Sequence, residues 1–221
     1  MLISFENIIN ENINRKVLAL QQAFYKNNFK GFIETVPAYA SLAVFYDVAA
    51  VKKNDAVTTS AFEFVKSFTE QMISKIDAVT EISKTVPINI PVYYNGEDLA
   101  GVARQHQLSV EEVIRIHSGK IYLVYMIGFL PGFAYMGKVD ERIITARLAT
   151  PRTHVKPGSV GIAGFQTGIY PLASPGGWQL IGQTPLKIFD TKKESPCLLQ
   201  AGDNIQFISI NKPDFEKLNE Y

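Results

Sequence analysis

The hydrophobic positions in the first half of the chain form two helical stripes separated by short apolar runs. One stripe consists of Ile13, Val17, Leu20 and Phe24, and its spacing predicts an amphipathic helix. A second helix is predicted from a stripe of similar spacing, formed by Val65, Phe68, Met72, Ile76 and Val79. The apolar runs predict four strands, at residues 2–5, 32–36, 42–46 and 86–92.

The order of these elements, β-α-β-β-α-β, is typical of a ferredoxin-like unit, in which two helices cover one face of a small antiparallel sheet. The last predicted strand contains Pro87 and Pro91, and proline has no amide hydrogen to donate to a neighbouring strand. We therefore expect residues 86–92 to form an edge strand or a link between domains.

Short apolar runs separated by glycine and proline dominate the second half of the chain. A short helix is predicted after Ser109, because Ser109 and Glu112 match a capping box, and Gly119 is a suitable end for it. Regularly spaced short strands are typical of a β-barrel or a sandwich. The runs that predict these strands lie at residues 121–127, 160–163, 178–181, 186–189 and 205–210.

Glycine and proline usage changes along the chain, which favours a division into two domains. The first 85 residues contain one glycine and one proline, whereas eleven of the 15 glycines lie between Gly119 and Gly182. Because these two residue types interrupt regular structure most strongly, the shift indicates a change of architecture. We predict an α+β chain with a ferredoxin-like domain over residues 1–86 and a β-barrel domain over residues 87–221.

The charge balance and the cysteine content exclude several classes of function. The chain has 22 Lys and Arg against 21 Asp and Glu, so its formal charge is +1 and gives no electrostatic footprint for nucleic acid or an anionic membrane. The single cysteine, Cys197, lies in an apolar run, where we expect a small and inert core residue. The three histidines are far apart, so we expect no metal site. Without a targeting segment or an apolar span, the sequence predicts a cytoplasmic protein.

Common enzyme signatures are missing from the sequence. It contains no G-x-x-x-x-G-K-[ST], no G-x-S-x-G and no H-E-x-x-H motif. The glycine run from Gly158 to Gly164 also departs from the G-x-G-x-x-G spacing of dinucleotide-binding proteins. The chain therefore lacks a recognisable nucleotide-binding motif of its own.

Two glycine- and proline-rich clusters allow alternative interpretations. Residues 128–137 include Phe129 and Gly132, and they form either a recognition loop or a barrel corner filled by aromatic rings. Residues 147–152 carry Arg147 and Arg152, which either bind a carboxylate or phosphate or are solvated or salt-bridged.

A third cluster, at residues 161–182, places polar side chains among glycines. Such a surface suits the recognition of a neutral amide or a carboxylate, whereas the alternative is that the glycines simply form tight turns. Within this cluster we interpret Trp178 as a core residue. Outside it, we favour a packing role for His117 over a role as a general base. The polar side chains of the cluster are Gln166, Thr167, Tyr170 and Gln179.

Long stretches of the chain resemble one protein family. The segments GFLPGFAYMG and RLATPRTHVKPGSVGIAGFQTGIYPLASPGGWQLIGQTPLKIFD closely resemble the PxpB/KipI family, which is also called allophanate hydrolase subunit 1. The resemblance covers nearly the whole chain, and NRKVLAL and TVPAYASLAVFYD match the family in outline. It implies a ferredoxin-like N-terminal domain and a cyclophilin-like β-barrel C-terminal domain.

The resemblance implies two alternative functions. Most bacterial members resemble the B subunit of an ATP-dependent 5-oxoprolinase, which converts 5-oxo-L-proline to L-glutamate and whose other subunits are KipA-like and LamB/YcsF-like. ATP would then act through the complex, and the isolated chain would be inactive. The alternative is a KipI-like inhibitor of histidine kinase autophosphorylation. Polar side chains among glycines favour the role in the enzyme, because an inhibitor needs only an exposed apolar patch.

Site residues follow from the family motifs that this sequence matches. We expect His117, Arg152 and Gln166 to be catalytic and to converge with Tyr170 on one exposed face of the barrel. Phe165 stands where the family usually has glycine, and this large side chain is expected to narrow a pocket there. The expected substrate-binding residues are Phe129, Gly132, Arg147, Thr167, Tyr170 and Gln179.

Overall fold

The computed structural model describes residues 1–53, 59–76 and 86–219 of the 221-residue chain. The chain divides into two compact units, Met1–Ser83 and Lys84–Tyr221. The predicted domain boundary between residues 86 and 87 stays a prediction. The first unit contains β1 (Leu2–Ser4), α1 (Glu11–Lys26), β2 (Phe32–Pro37), β3 (Ser41–Tyr46), α2 (Val48–Lys52) and α3 (Ala61–Lys75).

An antiparallel sheet and the long helices α1 and α3 are the main elements among the described residues of the first unit. The strands follow the order β1-β3-β2. Asn10 begins α1 by accepting hydrogen bonds from amides of the first turn at 2.8 and 3.4 Å. Both predicted helices are confirmed, because the stripes of α1 and α3 meet in one buried core that includes Leu20 and Val65. Val79, assigned to the second stripe, lies outside the described residues.

The predicted fourth strand does not join this sheet. It forms β4 (Ile88–Val92), which pairs in parallel with β12 (Asn204–Ser209) of the second unit. The expectation that residues 86–92 complete a four-stranded ferredoxin-like sheet is therefore wrong. Their position at an edge is confirmed, because β4 lies at one end of its sheet. The ferredoxin-like description of the first unit as a whole stays a prediction.

Short strands outnumber helices in the part of the second unit that the structure describes, where three α-helices are present. Besides β4 and β12 it contains α4 (Leu99–Gln105), α5 (Val110–Ser118), β5 (Ile121–Ile127), β6 (Ala134–Gly137), β7 (Arg152–Val155), β8 (Ser159–Ala163), β9 (Gln166–Ile169), β10 (Ser174–Gly176), β11 (Gln179–Gln183) and α6 (Lys212–Asn219).

Seven of these strands form a nearly closed barrel. Their order is β11-β8-β9-β6-β5-β12-β4, while β7 and β10 form a separate two-stranded ribbon. The two edges of the seven-stranded sheet meet where Tyr93, directly after β4, and Gln183 of β11 exchange two backbone hydrogen bonds of 2.9 Å. The prediction of a barrel from the repeated short strands is confirmed, and so is the α+β class.

The barrel wall separates two apolar clusters. Successive side chains of a strand point to opposite faces, so β6 contributes Met136 to the inner cluster and Tyr135 to the outer one. All seven strands supply side chains to the inner cluster, and Val102 of α4 and Val113 of α5 join it. The predicted capping box at the start of α5 is present, with Ser109 and Glu112 bonded at 2.8 and 3.1 Å. The outer cluster lies against the β6, β8 and β9 strands and includes Trp178.

Some predicted elements of the second unit differ from the structure. Residues 186–189 do not form a strand, and only Phe189 makes an isolated bridge, to Cys197. Cys197 is half-buried, so its assignment to the core is wrong. Regions interpreted as loops contain the strands β6, β7, β9 and β10. Each is only three or four residues long, so its apolar pattern is too short to recognise.

Residues 1–53, 59–76 and 86–219 lack two kinds of feature. No helix in these ranges is both long and apolar enough to cross a membrane. The same residues contain no group of three or more His, Cys, Asp or Glu side chains placed to hold a metal ion.

Candidate functional site

An aromatic cluster covers part of the outer face of the barrel. The Trp178 ring lies 5.3 Å from the Phe133 ring and nearly perpendicular to it, and Tyr135 and Tyr170 approach within 5.9 and 6.5 Å. Gly168 leaves room for these rings, because a Cβ atom there would come within 3.1 Å of Trp178. Trp178 is only 4% exposed, which confirms its interpretation as a core residue.

Arg147 lies directly above this cluster. Its Cζ atom is 5.8 Å from the centre of the Trp178 ring, within the range of a cation–π contact. Backbone contacts on both sides hold it there, since the amide of Leu148 donates to Gly177 O at 2.7 Å and Gln179 Nε2 donates to Ala146 O at 2.9 Å. Burial raises the pKa values of the Tyr135 and Tyr170 phenols, and the positive charge of Arg147 opposes that rise. The arginine is therefore close enough to both phenols to affect their pKa values.

The segment that carries this site contains no acidic residue. Residues 143–189 include four Lys and Arg and no Asp or Glu. Two of the four cations are paired with carboxylates from outside the segment, Lys187 with Asp190 and Arg152 with two residues described below. Within the described ranges no carboxylate pairs with Arg147, which is exposed. The aromatic surface thus carries an uncompensated positive charge that suits an anionic ligand.

Arg152 is held by carboxylates. Its Nε atom lies 2.6 Å from Glu97, and its Nη2 atom lies 2.6 and 2.7 Å from the two oxygens of Asp98. Nη1 also donates to Trp178 O at 3.2 Å. The side chains of Arg152 and Asp98 are 19% and 15% exposed. The salt-bridged alternative is confirmed for Arg152, whose charge is already balanced, so it offers little attraction for an incoming anion.

His117 lies inside the barrel rather than on its surface. It is fully buried, and its ring stacks on Phe207 at 4.6 Å. Its Nδ1 atom is 2.8 Å from Tyr94 Oη, and its Nε2 atom is 2.9 Å from Thr167 Oγ1. The expectation that His117 and the equally buried Tyr170 lie on an exposed face is wrong, and the packing alternative describes His117 better.

The hydrogen bonds around His117 assign its tautomer. Thr167 uses its hydroxyl hydrogen to donate to Gly161 O at 3.0 Å, so its oxygen accepts from His117 Nε2–H. Nδ1 is then the acceptor for the Tyr94 hydroxyl. Burial in this apolar interior lowers the pKa of His117 from 6.5 to about 3. The result is a neutral, fully bonded imidazole within the barrel.

The remaining predicted residues are distributed over different parts of the unit. Thr167 points inward to His117, whereas strand alternation places Gln166 on the outer face with Gly168. Phe129 is 62% exposed and contacts Phe133 edge to face at 5.6 Å. Gln179 uses its amide to hold the Arg147 segment, which is a positioning contact rather than a free binding group.

Gly132 and Phe165 both lie in turns of the backbone. Gly132 has a φ of 81°, which favours glycine, and a Cβ atom there would lie 3.0 Å from Phe189. Phe165 forms the two-residue turn between β8 and β9 together with Gly164, whose φ is 59°. No ring contact joins Phe165 to the Trp178 cluster within the described residues, so nothing there shows the predicted narrowing of a pocket.

No sequence motif points to a site role for Asp98 or Glu97, and Tyr135 enters only as part of residues 128–137, interpreted as a recognition loop or a barrel corner. Asp98 precedes a helix that shows no long apolar stripe, and its partner Arg152 is 54 positions away. The absence of acidic residues from 143–189, by contrast, was readable from the sequence and would have indicated the anionic preference of this region. The structure thus brings together Arg147, Trp178 and Tyr135 and separates them from His117.

Comparison with protein families and curated proteins gives a consistent result. The family model for the carboxyltransferase domain, subdomains C and D, matches residues 1–199. The 5-oxoprolinase B subunit of Bacillus subtilis (strain 168) is 45% identical over 224 residues, which cover 100% of this chain and 93% of that protein. The similarity therefore extends over the full length of this chain.

Solved structures give the same architecture. The crystal structure of TTHA0988 superposes with a TM-score of 0.81 at 33% identity, covering 96% of this chain but 40% of that one. The Kluyveromyces lactis urea carboxylase has a TM-score of 0.73 at 20% identity, covering 99% of this chain and 22% of that one, which supports the fold alone. This chain thus spans well under half the length of both solved proteins.

Proposed function

Because the chain belongs to the carboxyltransferase subdomain C and D family, together with the B subunits of 5-oxoprolinase, we propose that it is the B subunit of an ATP-dependent 5-oxoprolinase. The complex converts 5-oxo-L-proline to L-glutamate, and the partners of this chain in it are a KipA-like protein and a LamB/YcsF-like protein. The fold names implied by the family, ferredoxin-like and cyclophilin-like, belong to this proposal. The 45% sequence identity with the Bacillus subtilis protein, over the full length of this chain, supports it.

The main observation that supports a substrate site is the position of Arg147 above Trp178, with no carboxylate to balance its guanidinium charge among the described residues. 5-Oxo-L-proline combines a carboxylate with a flat, largely apolar five-membered ring. A guanidinium group binds a carboxylate through two parallel hydrogen bonds, and the half-buried Tyr135 at the edge of the aromatic cluster supplies apolar surface for the ring. Gln166, on the outer face, is retained as a candidate for orienting the lactam amide. We do not propose His117 and Arg152 as catalytic residues, because their polar atoms are hydrogen-bonded within the protein.

ATP is assigned to the complex rather than to this chain. Opening an unstrained lactam requires activation of its carbonyl group, and ATP supplies that activation. The chain has no phosphate-binding glycine loop, and the charges of Arg152 and Lys187 are balanced by carboxylates. Its own residues therefore bind and orient the carboxylate substrate, while the nucleotide is bound by the KipA-like and LamB/YcsF-like partners.

Activity is expected only in the assembled complex. The purified chain should release no glutamate from 5-oxo-L-proline and ATP, because it has no nucleotide site of its own. Co-expression with the KipA-like and LamB/YcsF-like proteins of the same genome should give glutamate release that needs both ATP and 5-oxo-L-proline. Turnover by the isolated chain, or an inactive complex of all three proteins, would contradict the proposal.

Removing the positive charge of Arg147 should weaken substrate binding. Loss of a charged hydrogen bond to the carboxylate is worth about 1.5–3 kcal/mol, so Arg147→Ala should lower kcat/KM of the complex by about 10- to 100-fold. The matched control is Lys156→Ala, which removes an exposed cation from the same acid-free segment outside the aromatic cluster. An equal loss in both variants would assign the effect to net charge and remove Arg147 from the site.

A second function is supported by Phe129. This aromatic side chain is 62% exposed although its backbone has a φ of 70°, a region that bulky residues rarely adopt. A KipI-like inhibitor of a histidine kinase would use such an exposed apolar side chain to contact its partner. Inhibition of kinase autophosphorylation by the isolated chain, together with an inactive three-protein complex, would favour this second function.

A further inference from the structure

Asp98 occupies the first position before α4 but does not cap that helix. An aspartate at this position normally accepts hydrogen bonds from amides of the first turn and so stabilises the helix. No such bond is present in α4. Instead, Asp98 Oδ2 accepts from the amide of Leu180 at 2.6 Å, and both carboxylate oxygens bind Arg152 Nη2. The carboxylate is thus directed at β11 and not at its own helix.

The pair of Asp98 and Arg152 holds the backbone on both sides of Gln179. Asp98 accepts from the amide of Leu180 and donates its own amide to Leu180 O at 3.0 Å. Arg152 donates from Nη1 to Trp178 O at 3.2 Å. Because the Asp98 carboxylate is charged and mostly buried, its bond of 2.6 Å from the Leu180 amide is shorter and stronger than a bond between neutral groups. The start of β11 is therefore fixed from the side of α4.

The Arg147 segment is attached to the same stretch of backbone from the other side. Leu148 is bonded to Gly177, and Gln179 is bonded to Ala146, so Arg147 stands opposite Trp178. A movement of residues 177–179 would shift Trp178 and the support of Arg147 together. We call Arg147 and the Trp178 ring beneath it the anion site. The geometry of this site is linked to the Asp98 carboxylate, which does not touch it.

We propose that Asp98 is a positioning residue: through Arg152 and the backbone of residues 178–180 it holds Trp178 beneath Arg147 and so sets the geometry of the anion site. The kinetic part of this inference rests on the proposed function, whereas its structural part does not. Substrate binding through Arg147 acts on the ground state and the transition state alike, so a displaced site raises KM more than it lowers kcat.

Trp178 makes the structural part directly measurable, because it is the single tryptophan of the chain. Its emission and its quenching by acrylamide report on the burial of this one ring. In the full-length Asp98→Asn variant, which loses the charge that binds Arg152, we expect a red-shifted emission maximum and stronger quenching. In the three-protein complex the same variant should raise KM for 5-oxo-L-proline about tenfold, with kcat within about twofold of the wild-type value.

Asp140→Asn is the matched control, because it also removes the carboxylate partner of an arginine in the second unit. Asp140 binds Arg142 at 2.8 Å and takes no part in the aromatic cluster. This variant should keep the wild-type emission, quenching and KM. If Asp98→Asn does not fold, Arg152→Lys tests the same link, because a lysine can pair with Asp98 but lacks the planar fork that also reaches Trp178 O.

The two readouts separate failure of the inference from failure of the proposed function. An inactive wild-type complex would remove the proposed function, while a changed Trp178 emission in Asp98→Asn would still support the positioning role. Wild-type emission, quenching and KM in Asp98→Asn, or in Arg152→Lys where that variant replaces it, would overturn the inference. Equal changes in Asp140→Asn would also overturn it, since they would show a general effect of charge removal.

Discussion

Lowering the pH from about 6.5 to about 4.5 is expected to reduce the free energy of unfolding of the wild-type chain by about 2–3 kcal/mol through His117 alone. Burial holds the pKa of His117 at about 3, against 6.5 for an exposed imidazole. Between these values the unfolded chain binds a proton that the folded chain does not. The stabilising effect of the neutral imidazole is therefore complete above pH 6.5 and is lost as the pH falls.

His117→Gln is the informative variant, because glutamine can still donate to Thr167 but has no proton to bind in this range. Its unfolding free energy should be lower than that of the wild type at pH 7, yet nearly flat between about pH 6.5 and 4.5. Urea unfolding followed by Trp178 emission measures the unit that contains His117. The Asp140 carboxylate, whose pKa is lowered to about 2, contributes mainly below this range.

The control for this measurement is His154→Gln, which replaces an exposed histidine on β7. It should keep the pH dependence of the wild type. If His117→Gln loses stability with falling pH as steeply as the wild type, then His117 is not the group responsible, and its burial in the folded state must be incomplete.

The parts of the fold that have a strong local pattern could be predicted from the sequence. The helices α1 and α3 follow from apolar stripes, and the start of α5 follows from the capping box at Ser109, because both signals lie within a few residues. The strand β9 could not be predicted in this way. It is four residues long and is defined by pairing with β6 and β8, and residues 186–189 have a stronger apolar pattern without any strand partner.

The candidate site was predictable in its residue types but not in its arrangement. The sequence indicates that Arg147 and Arg152 lie close together, and it cannot distinguish between them. The difference arises from Asp98, 54 positions from Arg152, which balances one guanidinium and leaves the other uncompensated. Likewise, His117 is held in the barrel interior by a hydrogen bond to Thr167, which lies 50 positions away in the sequence. Such contacts depend on tertiary structure, which a local motif does not contain.

The different environments of the two arginines predict losses of stability of different size. An arginine in a solvated loop would tolerate substitution by alanine, but the structure shows that Arg152→Ala would leave the Asp98 carboxylate mostly buried without its cation. Breaking such a pair is strongly destabilising, and we expect Arg152→Ala to lower the free energy of unfolding by about 2–3 kcal/mol. Arg147→Ala loses only an exposed cation–π contact and should lower it by less than about 1 kcal/mol.

Urea unfolding followed by circular dichroism is the suitable measurement, because both substitutions alter the surroundings of Trp178 and hence its emission. A double variant, Arg152→Ala with Asp98→Ala, should recover part of the lost stability, since it removes the unpaired charge together with its partner. Equal stabilities of Arg152→Ala and Arg147→Ala would show that the bonds of Arg152 to Asp98 and Glu97 contribute no more than solvated surface pairs. Arg152 would then return to the solvated-loop alternative, and the role of Asp98 in holding Trp178 would lose its physical basis.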